Sequence, residues 1–384
     1  MKRIIVGLVV LGAVGFFGVL PGYLDRSSNR VDVGDVALAL TPAAEELHQE
    51  LLIADLHADP LLWRRDLLKR LDHGHTDIPR LQAGNVALQV FGSVSKTPYG
   101  QNYDANPSDS DVITALVIAN GQPLATWGSL YERSLYHAQK LELLQQRSPQ
   151  DLQIVRSRSD LALVLQSRAA GSQVVGGLLA LEGAQPLEGD LDKLDGLFAA
   201  GYRMIGLAHF FDNAVAGSMH GMDKYGLTNF GRAVVARAEE LGMIIDLAHS
   251  SPAAVTEILD MVTRPVVFSH GGVKATCDFN RNLDDEQIRR IAIIGGVIGI
   301  GYWDAAVCDT SPAGIVAAMN HVRELVGIDH IGLGSDFDGG TTTRFDTSEL
   351  AYITQALMDA GYSETEIRAV MGENVLRLLR MSLP

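Results

Sequence analysis

Residues 243–270 read MIIDLAHSSPAAVTEILDMVTRPVVFSH. An apolar run over 243–248 ends in His249, an amphipathic helical pattern follows over 252–262, and a second apolar run over 266–269 ends in His270. Strand, helix and strand at this spacing make a βαβ unit, which sets the two strands parallel with their carboxyl ends on one side. Each of the two strands therefore delivers a histidine to the same side.

The same alternation continues in both directions. Apolar runs occur at 53–56, 86–91, 177–181, 204–208, 243–248, 266–269, 296–300 and 331–334, with a further amphipathic helix at 231–241. Eight runs predict eight parallel strands, and hence an α/β fold of the (β/α)₈ TIM-barrel type. A length of 384 residues is usual for a decorated barrel. The connection over 92–175 is longer than a barrel unit needs. It predicts an insertion after the second strand, with an extra helix near 127–146 and a loop over the mouth. Thr41 followed by Pro42 marks a helix start, with the threonine as N-cap.

The first thirty residues differ in kind. Lys2 and Arg3 precede an uncharged apolar run over 4–20, and Pro21-Gly22 and a polar stretch follow. A charged start before an apolar run reads as a signal anchor or a signal peptide. The run is slightly short of the roughly 20 residues that span a bilayer, and no small-x-small cleavage site follows it. An uncleaved anchor is the favoured reading, with the amino end in the cytoplasm and the remainder outside, periplasmic or extracellular. Four glycines in the run argue against a buried soluble helix. The expected organisation is an anchor or signal over 1–30, a linker over 31–40 and a barrel over 41–384. A chain starting near Asp32 should then be a complete catalytic unit.

Composition narrows the function. Apolar residues at 47% and charged residues at 20% support a large core, and a net charge of −15 without a basic stripe argues against nucleic-acid binding. The two cysteines, Cys277 and Cys308, do not form a Cys-x-x-Cys zinc pair. In an exported protein they are either one disulfide or two buried thiols. A homodimer is compatible with the sequence but not specified by it.

The strand ends carry the chemistry. The first run leads into His57 and Asp59, the third into Glu182, the fourth into His209, the fifth into His249, the sixth into His270 and the eighth into Asp336. In a parallel barrel these all open on one face. Imidazole and carboxylate suit zinc and similar divalent ions. His57 and Asp59, two apart on a strand, point the same way and can share an ion. His249 and His270 can hold a second, and the two oxygens of Glu182 can bridge both. Two ions about 3.5–4 Å apart can trap a hydroxide, lower its pKa and polarise a carbonyl.

The segments Asp55-Leu-His-Ala-Asp59, Leu181-Glu-Gly183, Asp246-Leu-Ala-His-Ser250, Phe268-Ser-His270, Asn280-Arg-Asn282 and Gly334-Ser-Asp-Phe-Asp-Gly339 resemble the membrane dipeptidase (renal dipeptidase) family of the amidohydrolase superfamily. The resemblance runs from about residue 53 to 379. It implies a (β/α)₈ barrel, two zinc ions (Zn2+) per chain and hydrolysis of dipeptides, often with a D-residue at the carboxyl end. It further implies His57 and Asp59 as ligands of the first zinc, Glu182 as the bridge, and His249 and His270 as ligands of the second. By the same resemblance His209 polarises the scissile carbonyl, Arg281 grips the substrate carboxylate and Asp336 is the acid/base. Family members carry a similarly spaced cysteine pair, which favours a Cys277–Cys308 disulfide. The sequence departs from animal members at Gly271-Gly272 and over 92–175, which bears on specificity rather than chemistry.

Other residues read more plainly. His73, His75 and His220 lie in polar loops, Asp338 supports Asp336 from behind, and Trp63 and Tyr302 either wall the pocket or pack. Two other functions fit parts of the pattern. An amidohydrolase acting on lactams, cyclic amides or N-acyl amino acids would share the metals without needing Arg281 to meet a free carboxylate. A non-catalytic surface binding protein would show an eroded site, and every expected ligand type is present.

Overall fold

The computed structural model describes residues 11–34 and 38–384. Eight parallel strands form its centre: β1 (Ile53–Ala58), β2 (Val86–Val94), β3 (Val175–Glu182), β4 (Tyr202–Gly206), β5 (Ile244–Asp246), β6 (Val267–Gly271), β7 (Val297–Ile300) and β8 (Ile331–Leu333). Each strand pairs with the next, and Leu333 of β8 pairs with Asp55 of β1, so the sheet closes into a barrel. All eight apolar runs are strands, with ends shifted by a few residues. Closure removes the sheet edges and leaves one mouth at the carboxyl ends.

The strands read as apolar runs because both of their faces are covered. Along β3, Leu178 and Ala180 pack in one cluster with Val375, Leu378 and Leu379 of the helix Asn374–Ser382, while Leu179 and Leu181 join the larger cluster with the surrounding helices. This is the two-residue alternation of a strand set between two apolar layers. Helices begin on side chains that accept a backbone N–H: Thr41 from Ala44, Thr228 from Gly231, Ser251 from Ala254 and Asp284 from Gln287. Cys277 and Cys308 are joined in a disulfide with Cα atoms 5.4 Å apart.

The long connection holds more structure than the single predicted helix. Leu130–Arg147 is that helix, and Ile113–Ala119, Arg158–Ala169 and the short strand Leu152–Ile154, which extends the sheet beside β3, accompany it.

The amino-terminal segment lies only partly within the described residues. Residues 1–10, which include Lys2, Arg3 and the start of the apolar run, lie outside the described residues, as do 35–37 of the expected linker. Among the described residues no helix is long and apolar enough to cross a membrane. The helix Leu20–Ser28 packs on the barrel through buried Asp25, which accepts from Arg65 Nε at 2.7 Å. Arg30–Val31 pairs with Thr342–Thr343 beyond β8. The described part of the segment thus joins the mouth. Hydropathy missed this because most of the contacts are ionic or backbone, and a chain starting near Asp32 would lack them.

The insertion hangs on one buried arginine. Arg133 donates to the carbonyls of Thr126 and Ser95, to Asp111 at 2.7 Å and to Thr114 Oγ1 at 2.6 Å. Arg133→Met should lower stability by roughly 3 kcal/mol, since it strands a carboxylate and several acceptors. Denaturant titration reads the loss, and limited proteolysis should cut first within 95–130.

Candidate metal centre

His57 lies in β1 and Asp59 just past it, Glu182 ends β3, and His270 lies in β6. His209, His249 and Asp336 sit in the turns that follow β4, β5 and β8. All seven side chains are buried. The predicted constellation therefore converges on one mouth.

Glu182 stands at its middle. Its Oε2 lies 3.5 Å from His57 Nε2, while Oε1 lies 3.1 Å from His249 Nε2, 3.3 Å from His209 Nε2 and 3.6 Å from His270 Nε2. One carboxylate thus faces two groups of nitrogens with different oxygens. On the far side His57 Nε2 is 3.3 Å from Asp59 and 3.9 Å from Asp336. His249 Nε2 and His270 Nε2 approach to 3.0 Å. The grouping is finer than the sequence suggested. Ligand atoms cluster as His57, Glu182 and His270, as Glu182, His209 and His249, and as His57, Asp59 and Asp336.

The donor set fits cations. Burial holds His249 and His270 well below the usual imidazole range, which keeps them neutral, the form that ligates. Burial pushes Asp59 up to about 6, with Glu182 adding to the effect. Burial likewise raises Asp336 well above the carboxylate range, with Asp59 and Glu182 adding against the pull of His57 and Arg281. Burial works against charge on His57, yet Asp59 and Glu182 hold its pKa well above the ordinary value. Glu182 is drawn well below its usual range by His209 and His57, despite burial. Three carboxylates thus share a dry space that calls for balancing positive charge. Asp59 Oδ1, Glu182 Oε2, His57 Nδ1 and His249 Nδ1 are buried with no hydrogen-bond partner. Divalent cations would satisfy the two carboxylate oxygens among these.

Two aspartates hold the ligands in place. Asp55 accepts from the Ser335 backbone at 3.0 Å and from its hydroxyl at 2.5 Å. Asp246 accepts from the Ser269 backbone at 2.9 Å and from its hydroxyl at 2.5 Å. Each strand thereby clamps the serine that precedes a site residue, Asp336 or His270. Ser269 Oγ lies 2.8 Å from His270 Nδ1. With the hydroxyl proton on Asp246, Nδ1–H donates to Oγ and the Nε2 lone pair is free to ligate. His249 and Asp336 have φ of 62° and 57°, left-handed values that cost non-glycine residues about 1–3 kcal/mol and persist where function needs the geometry. Gly92 is required by close approach, because a Cβ there would lie 2.2 Å from Asp59 Oδ1.

The mouth opens into a cavity of about 360 Å³ lined by Asp59, Glu182, His209, His249, Arg281 and Asp336. Arg281 is buried, donates from Nη2 to the His270 carbonyl at 2.9 Å, stacks over Trp303 at 4.6 Å and leaves Nε without a partner. Trp63 walls the cavity, whereas Tyr302 packs in the core against Phe337. His75 is a buried brace for Asp338, which accepts from its backbone at 2.8 Å, and His220 stacks on Phe210 behind His249. Sequence reasoning gave no role to Asp55 and Asp246, although both stand in the quoted motifs. A buried strand carboxylate facing a serine before a site residue was the available signal. Tyr103 and Leu24, both cavity-lining, carried none.

Comparison with known proteins agrees with this geometry. The profile of the family described as membrane dipeptidase (peptidase family M19) matches residues 42–382. Dipeptidase aclJ of Aspergillus oryzae is 28% identical over 360 residues, covering 87% of this chain and 79% of its own. The probable dipeptidase PvdM from Pseudomonas aeruginosa has a similar structure, with a TM-score of 0.74 at 22% identity over 89% of this chain and 98% of that one. So has a metallopeptidase from Rhodobacter sphaeroides liganded with a phosphinate mimic of the dipeptide L-Ala-D-Ala. Its TM-score is 0.71 at 23% identity, covering 86% of this chain and 99% of that one. At these identities the structural likenesses speak for the fold.

The proton balance generates a prediction. A cation held by His57 and Asp59 must displace their protons; Asp59 holds its own up to about pH 6, and His57 keeps one well above the ordinary imidazole range. Metal affinity should therefore rise with pH through about 6 and go on rising above it, with protons released on binding. Calorimetry in buffers of different ionisation enthalpy measures the release. Affinity that is level from pH 5 to 7 would contradict the assignment.

Proposed function

The chain belongs to the membrane dipeptidase family and is a metal-dependent dipeptidase, and on that footing we propose that it works with two zinc ions on dipeptides whose carboxyl-terminal residue is L or D. The observation that carries this reading is the split of Glu182, with Oε2 toward His57 and Oε1 toward His249. In the proposed centre His57, Asp59 and Glu182 hold one ion, and Glu182, His249 and His270 hold the other. Neutral imidazoles and carboxylates are the donors zinc takes. Such a pair, when bound, lowers the pKa of water and polarises a carbonyl.

The chain's own residues do the rest. Arg281 binds the substrate's terminal carboxylate, since its partnerless Nε and its place in the cavity lining leave donors for a bidentate grip. This also favours dipeptides over lactams and cyclic amides, which offer no such group. His209, in the lining and 3.3 Å from Glu182, is placed to donate to the scissile carbonyl oxygen. Asp336, with its raised pKa, carries a proton to the departing amine, which leaves readily only when protonated. The phosphinate dipeptide mimic bound by the Rhodobacter sphaeroides relative supports the substrate class and a D-residue at the carboxyl end.

Location belongs to the same proposal. The charged start and apolar run over 1–20 support export or anchoring, with the catalytic unit outside the cytoplasm. The Cys277–Cys308 disulfide fits an oxidising compartment.

Zinc-loaded protein should carry two ions per chain and release free amino acids from a dipeptide library containing L- and D-carboxyl residues. Full activity with one ion overturns the binuclear reading, and no hydrolysis of any dipeptide overturns the substrate class. Asp336→Asn keeps the shape and removes the proton carrier. It should retain both ions while kcat falls by about 10²-fold or more. A metal-depleted Asp336→Asn protein would make Asp336 a ligand, which its distance to His57 allows.

A further inference from the structure

The helix Leu20–Ser28 lies upstream of residue 42, where the match to the family begins, yet it reaches the substrate cavity. Leu24 lines that cavity and packs against an apolar cluster formed by Leu62, Trp63, Val94, Ile113 and Leu116. All five line the cavity: Leu62 and Trp63 follow β1, Val94 ends β2, and Ile113 and Leu116 belong to the insertion. The wall is thus assembled from the barrel, the insertion and the amino-terminal helix, and Leu24 is the helix's apolar contribution.

The helix does not merely pass by. Asp25 is buried and accepts from Arg65, whose other edge donates to Asp338 at 2.8 and 2.9 Å. Asn29 donates to Asp25 at 2.9 Å and accepts from the Gly340 backbone at 3.0 Å. Arg30–Val31 then pairs with Thr342–Thr343. The helix is therefore tied at three points to the loop that carries Asp336. A buried ion pair of this kind fixes geometry, because release of either partner strands a charge.

The polar end of the cavity is different. Arg281 there stacks over Trp303, and Trp303 Nε1 donates to Tyr103 Oη at 3.1 Å. Neither Arg281 nor Trp303 belongs to the apolar cluster around Leu24. A dipeptide held by its carboxylate at Arg281 presents its other residue away from that anchor, and the apolar wall lines the same cavity.

We propose that the helix Leu20–Ser28 is a specificity element of this active site, in which Leu24 closes an apolar subsite for the residue on the amino side of the scissile bond. The inference rests on the dipeptidase reading and adds a substrate class to it: dipeptides with a bulky apolar amino-side residue, such as Leu or Phe. Burying such a side chain should favour these substrates over their glycine counterparts by about tenfold or more.

The test uses the full chain loaded with zinc. Pairs of phosphinate dipeptide analogues, Leu against Gly and Phe against Gly on the amino side with a common carboxyl residue, are titrated by calorimetry. The corresponding dipeptides are compared by kcat/KM. Wild type should prefer the apolar member at least about tenfold, and Leu24→Asp should cut that ratio by about threefold or more. Leu24→Met, which keeps the apolar volume, should restore it. Asp25→Ala should lower the ratio in the same direction by freeing the helix. Metal content measured on each preparation separates a lost subsite from a lost metal centre. Equal binding of the paired analogues to wild type, no binding of either, or an unchanged ratio in Leu24→Asp overturns the proposal. Should no dipeptide be hydrolysed, the dipeptidase reading fails, while the analogue affinities still decide the subsite.

Discussion

Three carboxylates, Asp59, Glu182 and Asp336, are buried at the barrel mouth, each within 4 Å of His57 Nε2, and the rest of the molecule answers to that crowding. Like charges in a dry space repel strongly, so the arrangement persists only with counter-charge and with a scaffold that stops the groups from moving apart. His57 faces all three, and against the effect of burial Asp59 and Glu182 hold its pKa well above the ordinary imidazole value. Neutral His249 and His270 complete the donor set on the other side of Glu182. The chemistry of the site is thus already written in the balance between burial and charge.

The scaffold supplies the rigidity through paired devices. Asp55 and Asp246 are spent on the backbone and hydroxyl of Ser335 and Ser269 rather than on chemistry. Each ties one strand end to another, so the positions of Asp336 and His270 follow from barrel closure. The left-handed turns at His249 and Asp336 aim side chains inward at a conformational cost that those ties sustain. Asp338 extends the logic outward, because the same loop that presents Asp336 receives Arg65, His75 and Thr76. Through Arg65 the amino-terminal helix becomes part of the support for the loop that carries the proposed acid/base.

This coupling joins two features that look unrelated in the chain. A segment that reads as a leader and a loop over 300 residues later form one wall of one cavity. Ion pairs and strand addition leave no hydropathy signal, so a segment can be apolar for one reason and docked for another.

The sequence alone determined the barrel and the identity of the chemical groups. Eight apolar runs interleaved with helical patterns admit few other folds, since strands covered on both faces must be apolar throughout, and closure then sends every strand end to one mouth. That is why His57, Asp59, Glu182, His209, His249, His270 and Asp336 were legible together: their place at strand ends is a property of local order. What only the tertiary structure decided is which atom faces which. The division of Glu182 between two groups, the approach of His209 and Asp336 to the ligand clusters, the clamps by Asp55 and Asp246, and the docking of Leu24 and Asp25 all depend on the rotation and register of strands against one another. Those are set by packing across the barrel, where residues far apart in the chain meet, and no local pattern of residues encodes them.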